Sequence, residues 1–473
     1  MTSKIENTLI RVFETKFGNK PVSIELLPQS GSYRKYFRLS AKTGETVIGV
    51  FNAEIQENRA FISFTKSFLR KDLPVPEIIM EDIDEQFYLL QDLGNTTLFN
   101  YLQTKPDEND VAELYRKIID QLIRFQFDGH CEVDYSVCYP RNFFDAQSVM
   151  WDLNYFKYNF LKFLRISFHE QRLENDFKLL VQYTERIPVD SFLYRDFQSS
   201  NIMIHKNTPY FIDYQGGRKG AFYYDLASLL YDAKANLSNK LKEDLKEYYY
   251  LCIQKRCSIQ KKEFDGNFTV FTLIRIMQAM GAYGFRGIFE RKENFIKSIP
   301  YAVENLRSVI EKKEFSLNIP ELLHVYNQLF KHPDCMHKKS TKGELMVRIY
   351  SFSFKKGMPG DDKGNGGGFV FDCRGLPNPG RFPEYRKFTG KDQKVIDFFQ
   401  DKKVVHQFID HVSDLVEITI NDYRTSQKAD LMISFGCTGG QHRSVYCAEQ
   451  LVKFMKRRNI KYEIKHLEQE NVF

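Results

Sequence analysis

No C-x-x-C pair occurs among the eight cysteines of this 473-residue chain, and their spacing forms no regular framework. A disulfide scaffold is thereby excluded, and the thiols are expected to be reduced and used for packing. No window approaches the ~18 consecutive apolar residues of a membrane span, and the opening "MTSKIENTLIRVF" has no apolar core of a signal peptide. We therefore expect a cytoplasmic protein with no membrane partner. The absence of G-x4-G-K-[ST] excludes a Walker-type phosphate loop. Tryptophan occurs once, against 42 Phe and 27 Tyr. Those aromatics return at helical spacing and read as core rather than as a stacking surface for nucleic acid. There is no internal repeat, and "GDDKGNGGG" at 360–368 is the one low-complexity patch.

What is present suffices for two or three folded units: 42% of the residues are hydrophobic in a chain of this length. The formal charge of +7 is uneven, with 25 Lys+Arg against 18 Asp+Glu in 331–473 and 43 of each in 1–330. A basic C-terminal third fits phosphate or nucleic-acid handling and fits a solvated basic face equally well. Residues 21–51 alternate apolar and polar around turn signals at Gly31 and Thr43-Gly44, which predicts short antiparallel strands. Phe61, Phe64 and Phe68 predict a helix over 54–71, and "EQFYLLQDLG" a strand ending at Gly94. Long helices follow in 107–186, including "VAELYRKIIDQLIRFQF" and "DLNYFKYNFLKFLRISF"; then come a loop, a strand "YFIDY", and helices to about 313. The aperiodic "KHPDCMHKKSTKG" marks a junction. His332, Cys335 and His337 there lack a fourth partner for a metal. Beyond it, "ELMVRIYSFSF", "GFVFDCRG" and "ADLMISFGC" read as strands and "HRSVYCAEQLVKFMKRR" as a helix. The expected fold class is an α+β two-lobed domain in 1–330 (small lobe about 1–95, large helical lobe about 96–330), a linker 331–343, and a smaller α/β domain in 344–473.

Within "YRDFQSSNIM", Asp196 and Asn201 stand five residues apart on a loop, and Asp213 follows in "YFIDYQ". Phosphoryl transfer needs a carboxylate beside the attacking hydroxyl and hard oxygen ligands for Mg²⁺ on the ATP phosphates. Asp196 suits the first need, Asn201 and Asp213 the second. Asp and Asn also simply build turns, so on spacing alone both readings stand.

The segments "GSYRKYFRL", "LLQDLG", "NFFDAQSVMWDLNYF", "YRDFQSSNIMI", "FIDYQGGRKGAFYYDLASLLYDA" and "RIMQAMGAYGFRG" occur in this order over about 20–310. Together they resemble the aminoglycoside phosphotransferase-like kinases, in particular the anomeric amino-sugar kinase (AmgK) branch. The resemblance implies a protein-kinase-like fold and ATP- and Mg²⁺-dependent phosphorylation of a sugar hydroxyl, the anomeric one of N-acetylmuramate or N-acetylglucosamine. It implies Asp196 as catalytic base and Asn201 and Asp213 as metal ligands. Nucleotide binding is implied at Gly31, Ser32 and Arg34, and at Gln91, Asp92 and Leu93, where the backbone meets adenine. Asp225 would support the catalytic loop. Tyr194 replaces a histidine common in relatives, and "TVIGVFN" lacks the strand lysine of many kinases. Arg34, Lys35 or Arg38 could compensate; otherwise the region is a pseudokinase in a non-catalytic regulator.

"ISFGCTGGQHRSV" is an apolar strand, a glycine-bearing loop and a helix start, which is the arrangement of a phosphoryl-binding loop with Arg443 as a bidentate fork. Cys437 and Arg443 also satisfy C-x5-R, the spacing of thiolate phosphatases, so binding and nucleophilic readings are both open. Residues 344–473 resemble the RapZ C-terminal domain through "RIYSFSFKKGMP", "FVFDCRGLPNP", "FTG" at 388–390, "GCTGGQHRSVYCAEQL" and "IKHLE". That resemblance implies a sugar-phosphate pocket at Cys437, Thr438, Gly439, Gly440, His442, Arg443 and Ser444, with Asp372, Arg374 and His466 as walls. RNA is a further partner it suggests, with Lys453, Lys456, Arg457 and Arg458 as a basic helix end, and homo-oligomerisation goes with it. Gly380-Arg381 departs from the family's usual His and aromatic.

Overall fold

The alternating apolar residues of 21–51 fold as expected, into strands whose inward faces meet a helix. In the computed structural model, which describes residues 2–28, 34–81, 86–312, 314, 316–337, 345–361, 367–426 and 428–469, the chain opens with α1 (Thr2–Phe17). An antiparallel sheet follows, formed by β1 (Ser23–Leu26), β2 (Lys35–Ser40), β3 (Thr46–Phe51), β4 (Ile78–Glu81) and β5 (Phe87–Gln91) in the order β1-β2-β3-β5-β4. Between β3 and β4 lies α2 (Ile55–Leu69), which buries Phe61, Phe64 and Phe68 as their spacing predicts. Neither α1 nor β4 was expected. β4 is four residues long with a register irregularity, too short for alternation to declare itself.

Helices dominate from residue 98: α3 (Leu98–Gln103), α4 (Glu108–Ile123), α5 (Ala146–Phe156) and α6 (Glu170–Thr184). Asp145 caps α5 by accepting from Ser148 N at 3.0 Å, which fixes where that helix starts. Two of the expected long helices change character before they end. α4 passes into a π-helical turn over Arg124–Gly129 and α5 into another over Lys157–Leu161. The second helix does not reach Phe168, because Arg165 takes a left-handed φ of 55°.

Short strands β6 (Ser191–Leu193), β7 (Ile202–His205), β8 (Thr208–Phe211) and β9 (Arg218–Gly220) pair as β6 with β9 and β7 with β8. The expected strand "YFIDY" is therefore shorter than predicted, and Asp213 lies two residues beyond its end at φ 69°. Next come α7 (Tyr223–Leu230), α8 (Asn239–Ile253), α9 (Lys261–Ala282), α10 (Glu293–Ile296), α11 (Ile299–Lys312) and α12 (Pro320–Leu329). α9 ends in a third π-helical turn, Tyr283–Phe289. There a Cβ on Gly284 would lie 1.7 Å from the Asn159 carbonyl oxygen, so glycine is what lets this turn press against the one that ends α5. The aromatics are core, as expected: Tyr115, Tyr194, Tyr223, Phe156 and Phe177 are all buried in the large-lobe cluster.

The chain separates into two compact units, 1–337 and 338–473. Unit two is a parallel sheet of β10 (Met346–Ser353), β11 (Gly368–Asp372), β12 (Asp430–Cys437) and β13 (Tyr462–His466) in the order β11-β12-β10-β13. Helices α13 (Gln393–Gln400), α14 (Lys403–Thr425) and α15 (Arg443–Arg457) pack with it. β12 is buried over seven of its eight residues, the continuous burial of a central parallel strand. Among the described residues no helix is long and apolar enough to cross a membrane, and no cluster of three metal-ligating side chains occurs, at His332, Cys335 and His337 or elsewhere.

Candidate functional site

The loop after β6 turns sharply because Arg195 adopts φ 84°, and buried carboxylates hold it there. Asp225, on α7 and wholly buried, accepts the backbone N–H groups of Tyr194 at 2.6 Å and Arg195 at 2.9 Å. Burial pushes its carboxyl up to about 7 against the pull of those two donors. Asp152 of α5 receives the Arg195 guanidinium, Nη1 donating at 2.7 Å, and the guanidinium lies over the rings of Phe144 and Tyr224 at 5.1 and 5.2 Å. Asp232 accepts from Ser199 N at 3.0 Å and from its hydroxyl. Tyr194 donates its hydroxyl to the Ile212 carbonyl at 2.7 Å, so it ties the two loops together.

Asp196, Asn201 and Asp213 converge on this frame. Asn201 Nδ2 donates to the Asp196 carbonyl at 2.9 Å and lies 3.3 Å from Asp213 Oδ2. Gln215 Nε2 donates to Asp213 Oδ1 at 2.7 Å, and Arg34 Nη1 is 3.5 Å from the same oxygen. Desolvation raises the Asp213 carboxyl above the ordinary range, with Arg34 pulling the other way. One amide and one carboxylate on facing loops form a sparse hard-oxygen donor set of the kind that Mg²⁺ accepts alongside phosphate oxygens.

The strand position that lacks lysine is answered from the residue just before β2. Arg34 is buried, and its Nη2 donates to Glu57 Oε2 of α2 at 2.9 Å while Nη1 reaches Asp213. Glu57 was not singled out in the sequence; its position in the first turn of a helix that follows β3 was the available signal. Arg38 is not a substitute, because Asp92 takes its guanidinium at 2.6 and 2.9 Å. The Asp92 carboxylate also accepts Gly94 N at 2.9 Å, so that side chain is committed to the protein. Gln91 N donates to the Glu77 carbonyl at 2.9 Å, and the Leu93 carbonyl lies 3.1 Å from His205 Nδ1. Gly31 and Ser32 lie outside the described residues.

In the second unit, Cys437 ends β12, and the loop 438–442 leads into α15. Ser353 donates to the Thr438 carbonyl at 2.8 Å, and Gly390 N to the Gln441 carbonyl at 2.9 Å, so "FTG" clamps the loop from outside. Gly440 has φ 70°, and a Cβ there would meet Glu468 Cγ at 2.2 Å, which requires glycine. A cavity of about 240 Å³ opens over the loop, lined by Cys437, Thr438, Gly439, His442 and Arg443, with Asn378, Gly380 and Arg386 opposite. His442 Nε2 lies 3.0 Å from the Tyr385 carbonyl. Arg443 does not present the free fork expected of it. Its Nη1 donates to the carbonyls of Arg374 at 2.7 Å and Leu376 at 3.3 Å, and its Nη2 to Thr438 Oγ1 at 3.2 Å. Ser444 turns its hydroxyl to Cys437 rather than to the cavity. Of the three expected wall residues, His466 is buried between Ser351 Oγ at 2.8 Å and Glu449 Oε1 at 3.1 Å. Asp372 and Arg374 pair with each other at 2.7 Å, and Arg374 lies over Phe354 at 4.1 Å.

Known proteins divide the chain in the same two parts. Residues 23–256 match the phosphotransferase enzyme family, and residues 345–470 match the RapZ C-terminal domain. A nucleotide-binding protein of Shewanella halifaxensis is 42% identical over 128 residues, which are 27% of this chain and 43% of that protein. One from Clostridium kluyveri is 32% identical over 181 residues, 38% of this chain and 53% of that protein. The chain thus spans about half or less of the curated relatives it matches. A choline/ethanolamine kinase family protein from Mesorhizobium loti superposes with a TM-score of 0.46 at 11% identity, over 69% of this chain and 98% of that one. A choline kinase from Cryptosporidium parvum superposes with a TM-score of 0.44 at 12% identity, over 65% and 98%. The chain joins a phosphotransferase-family region to a RapZ C-terminal domain.

Proposed function

We propose that the first unit transfers the γ-phosphoryl group of ATP to a hydroxyl of a sugar, the anomeric one of N-acetylmuramate or N-acetylglucosamine, and that the second unit binds a sugar phosphate. The observation that carries the reading is the meeting of Asp196, Asn201 and Asp213 beside the Arg34–Glu57 pair. Phosphoryl transfer rests on positioning and charge stabilisation, and each of those groups serves one of the two. Asp196 accepts the proton of the attacking hydroxyl. Asn201 and Asp213 would hold Mg²⁺, whose charge offsets that of the phosphates. Arg34, kept in place by Glu57, faces the phosphates as the strand lysine does in other kinases. The backbone of Gln91–Leu93 receives the adenine.

Phosphotransfer from ATP to N-acetylmuramate, N-acetylglucosamine, simple hexoses, choline and aminoglycosides tests this. We expect transfer to an amino sugar, lost in Asp196→Asn. Turnover of choline or an aminoglycoside alone would reassign the acceptor, and absence of ATP turnover with every acceptor would leave a non-catalytic regulator.

A further inference from the structure

The C-terminal domain contains three buried thiols, and one of them has surroundings the others lack. Cys373 and Cys447 interact with each other in the core of the domain, and the Cys373 thiol approaches the Phe371 carbonyl at 3.9 Å. Cys437 belongs to the same buried cluster but also lines the cavity over the glycine loop. Gly440 N donates to its sulfur at 3.2 Å, and the Ser444 hydroxyl lies 3.2 Å from it. A nucleophilic sulfur needs hydrogen-bond donors at its base, an anion-binding loop above it and a cation nearby. Here the assigned donor is the N–H of the third residue after the cysteine, the hydroxyl of the seventh lies within hydrogen-bond reach of the sulfur, and the cation is Arg443, with Arg386 exposed on the opposite rim. Arg443 is 95% buried at the cavity wall; its two Nη atoms are held by the Arg374 and Leu376 carbonyls and Thr438 Oγ1, and its Nε has no hydrogen-bond partner among the described residues.

We propose that Cys437 is the nucleophile of a phosphomonoesterase acting through a phosphocysteine. This rests on the reading of the loop as a phosphoryl-binding site and goes beyond it. The sulfur, as thiolate, attacks phosphorus, forming the S–P bond as the P–O bond to the alcohol breaks, and the departing oxygen takes a proton from water. A second water then attacks phosphorus and the S–P bond breaks. The sulfur leaves as thiolate, and inorganic phosphate and a proton are released. The sum is hydrolysis of a phosphate ester, with no oxidant or reductant. Ser444 supports the departing thiolate in the second step by donating to it, as a positioning residue.

The test uses the full-length protein without nucleotide and p-nitrophenyl phosphate as the probe. We expect p-nitrophenol release by wild type, loss of at least ~100-fold in Cys437→Ser, and no change in Cys131→Ser, which alters an exposed cysteine of the first unit. Ser444→Ala should slow breakdown of the intermediate and convert steady release into a burst. Acid quenching of wild type followed by peptide mass spectrometry should place a phosphoryl group on Cys437, a readout independent of any variant. Calorimetry with inorganic phosphate reports loop binding separately. Phosphate binding without hydrolysis or a trapped phosphocysteine overturns the nucleophile and leaves the binding reading intact; neither binding nor hydrolysis overturns both. Hydrolysis undiminished in Cys437→Ser also overturns the proposal.

Discussion

Replacing Arg34 by methionine keeps the volume of the side chain and removes its charge, which isolates the function assigned to it. The guanidinium has 2% exposure and sits between Glu57 Oε2 at 2.9 Å and Asp213 Oδ1 at 3.5 Å. Its two carboxylate partners are 38% and 36% exposed, so water compensates them partly when the cation is lost, and the cost to folding stays well below that of breaking a fully buried pair. The cost to phosphate binding is larger. One charge-assisted hydrogen bond to a phosphate oxygen is worth roughly 1.5–3 kcal/mol, which predicts a ~10- to 100-fold weaker MgATP complex. Arg34→Lys should recover part of this, because an ammonium can reach one of the two carboxylates. Glu57→Gln should weaken ATP binding less, and the double variant should fall short of the sum by roughly 0.5–3 kcal/mol if Glu57 acts through Arg34. Calorimetric titration with MgATP, together with KM for ATP and kcat, measures all four corners of the cycle, with Tm recorded for each. Wild-type affinity and kcat in Arg34→Met would refute the assignment. Losses that track Tm alone would show the arginine to be a structural pair.

Asp196→Asn removes the proton acceptor and should lower kcat by roughly 10²-fold or more with ATP affinity retained; unchanged turnover would sink the kinase reading. Asp213→Ala should abolish Mg²⁺-dependent ATP binding, checked by titrating nucleotide with Mg²⁺ and with EDTA, and equal heats in the two would reject the metal assignment. Asp225 predicts a pH dependence of stability. Below about pH 4 its carboxyl is protonated folded and unfolded; as pH rises the unfolded carboxyl ionises first while the folded one holds its proton to about 7. This group therefore removes stability between those limits, on the order of 4 kcal/mol at most. Denaturant titrations of Asp225→Asn across pH 4–8 should lack that component, and a slope identical to wild type would contradict it.

Much of the first unit could be read from periodicity and order of motifs, because its strands and helices bury one face each. The Phe61, Phe64 and Phe68 stripe and the alternation of 35–51 are examples. The convergence of Asp196, Asn201 and Asp213 was legible from spacing plus resemblance. Arg34 was legible only as one of three candidates, since choosing it over Arg38 depends on Asp92, 54 residues from Arg38, claiming the other guanidinium. The π-helical turns at 124–129, 157–161 and 283–289 carry no sequence signal apart from the small residues that permit close approach, Gly284 among them. In the C-terminal domain the loop was legible from its glycines, but the orientation of Arg443 was not. A C-x5-R spacing fixes where the arginine is attached, whereas the carbonyls of Arg374 and Leu376 decide where it points.

The least legible part of the candidate active site is what holds it, and the reason is physical. Arg195 at φ 84° and Asp213 at φ 69° occupy a backbone region that costs non-glycine residues about 1 kcal/mol or more each. Such conformations persist only where the surroundings over-determine them. For the loop that carries Asp196 the surroundings are three carboxylates from separate parts of the chain: Asp152 on the Arg195 side chain, Asp225 on the backbone of Tyr194 and Arg195, and Asp232 on Ser199. None lies in the D-x4-N motif, and in a helical sequence each looks like an ordinary first-turn or surface acid. All three are less than 8% exposed, and an acid is buried only where donors meet it. The donors here are the strained loop itself. The loop satisfies the carboxylates and the carboxylates fix the loop, so the position of Asp196 is set by pairings that span up to 43 residues of sequence. A substitution at Asp152 would consequently be felt at Asp196 without touching any ligand.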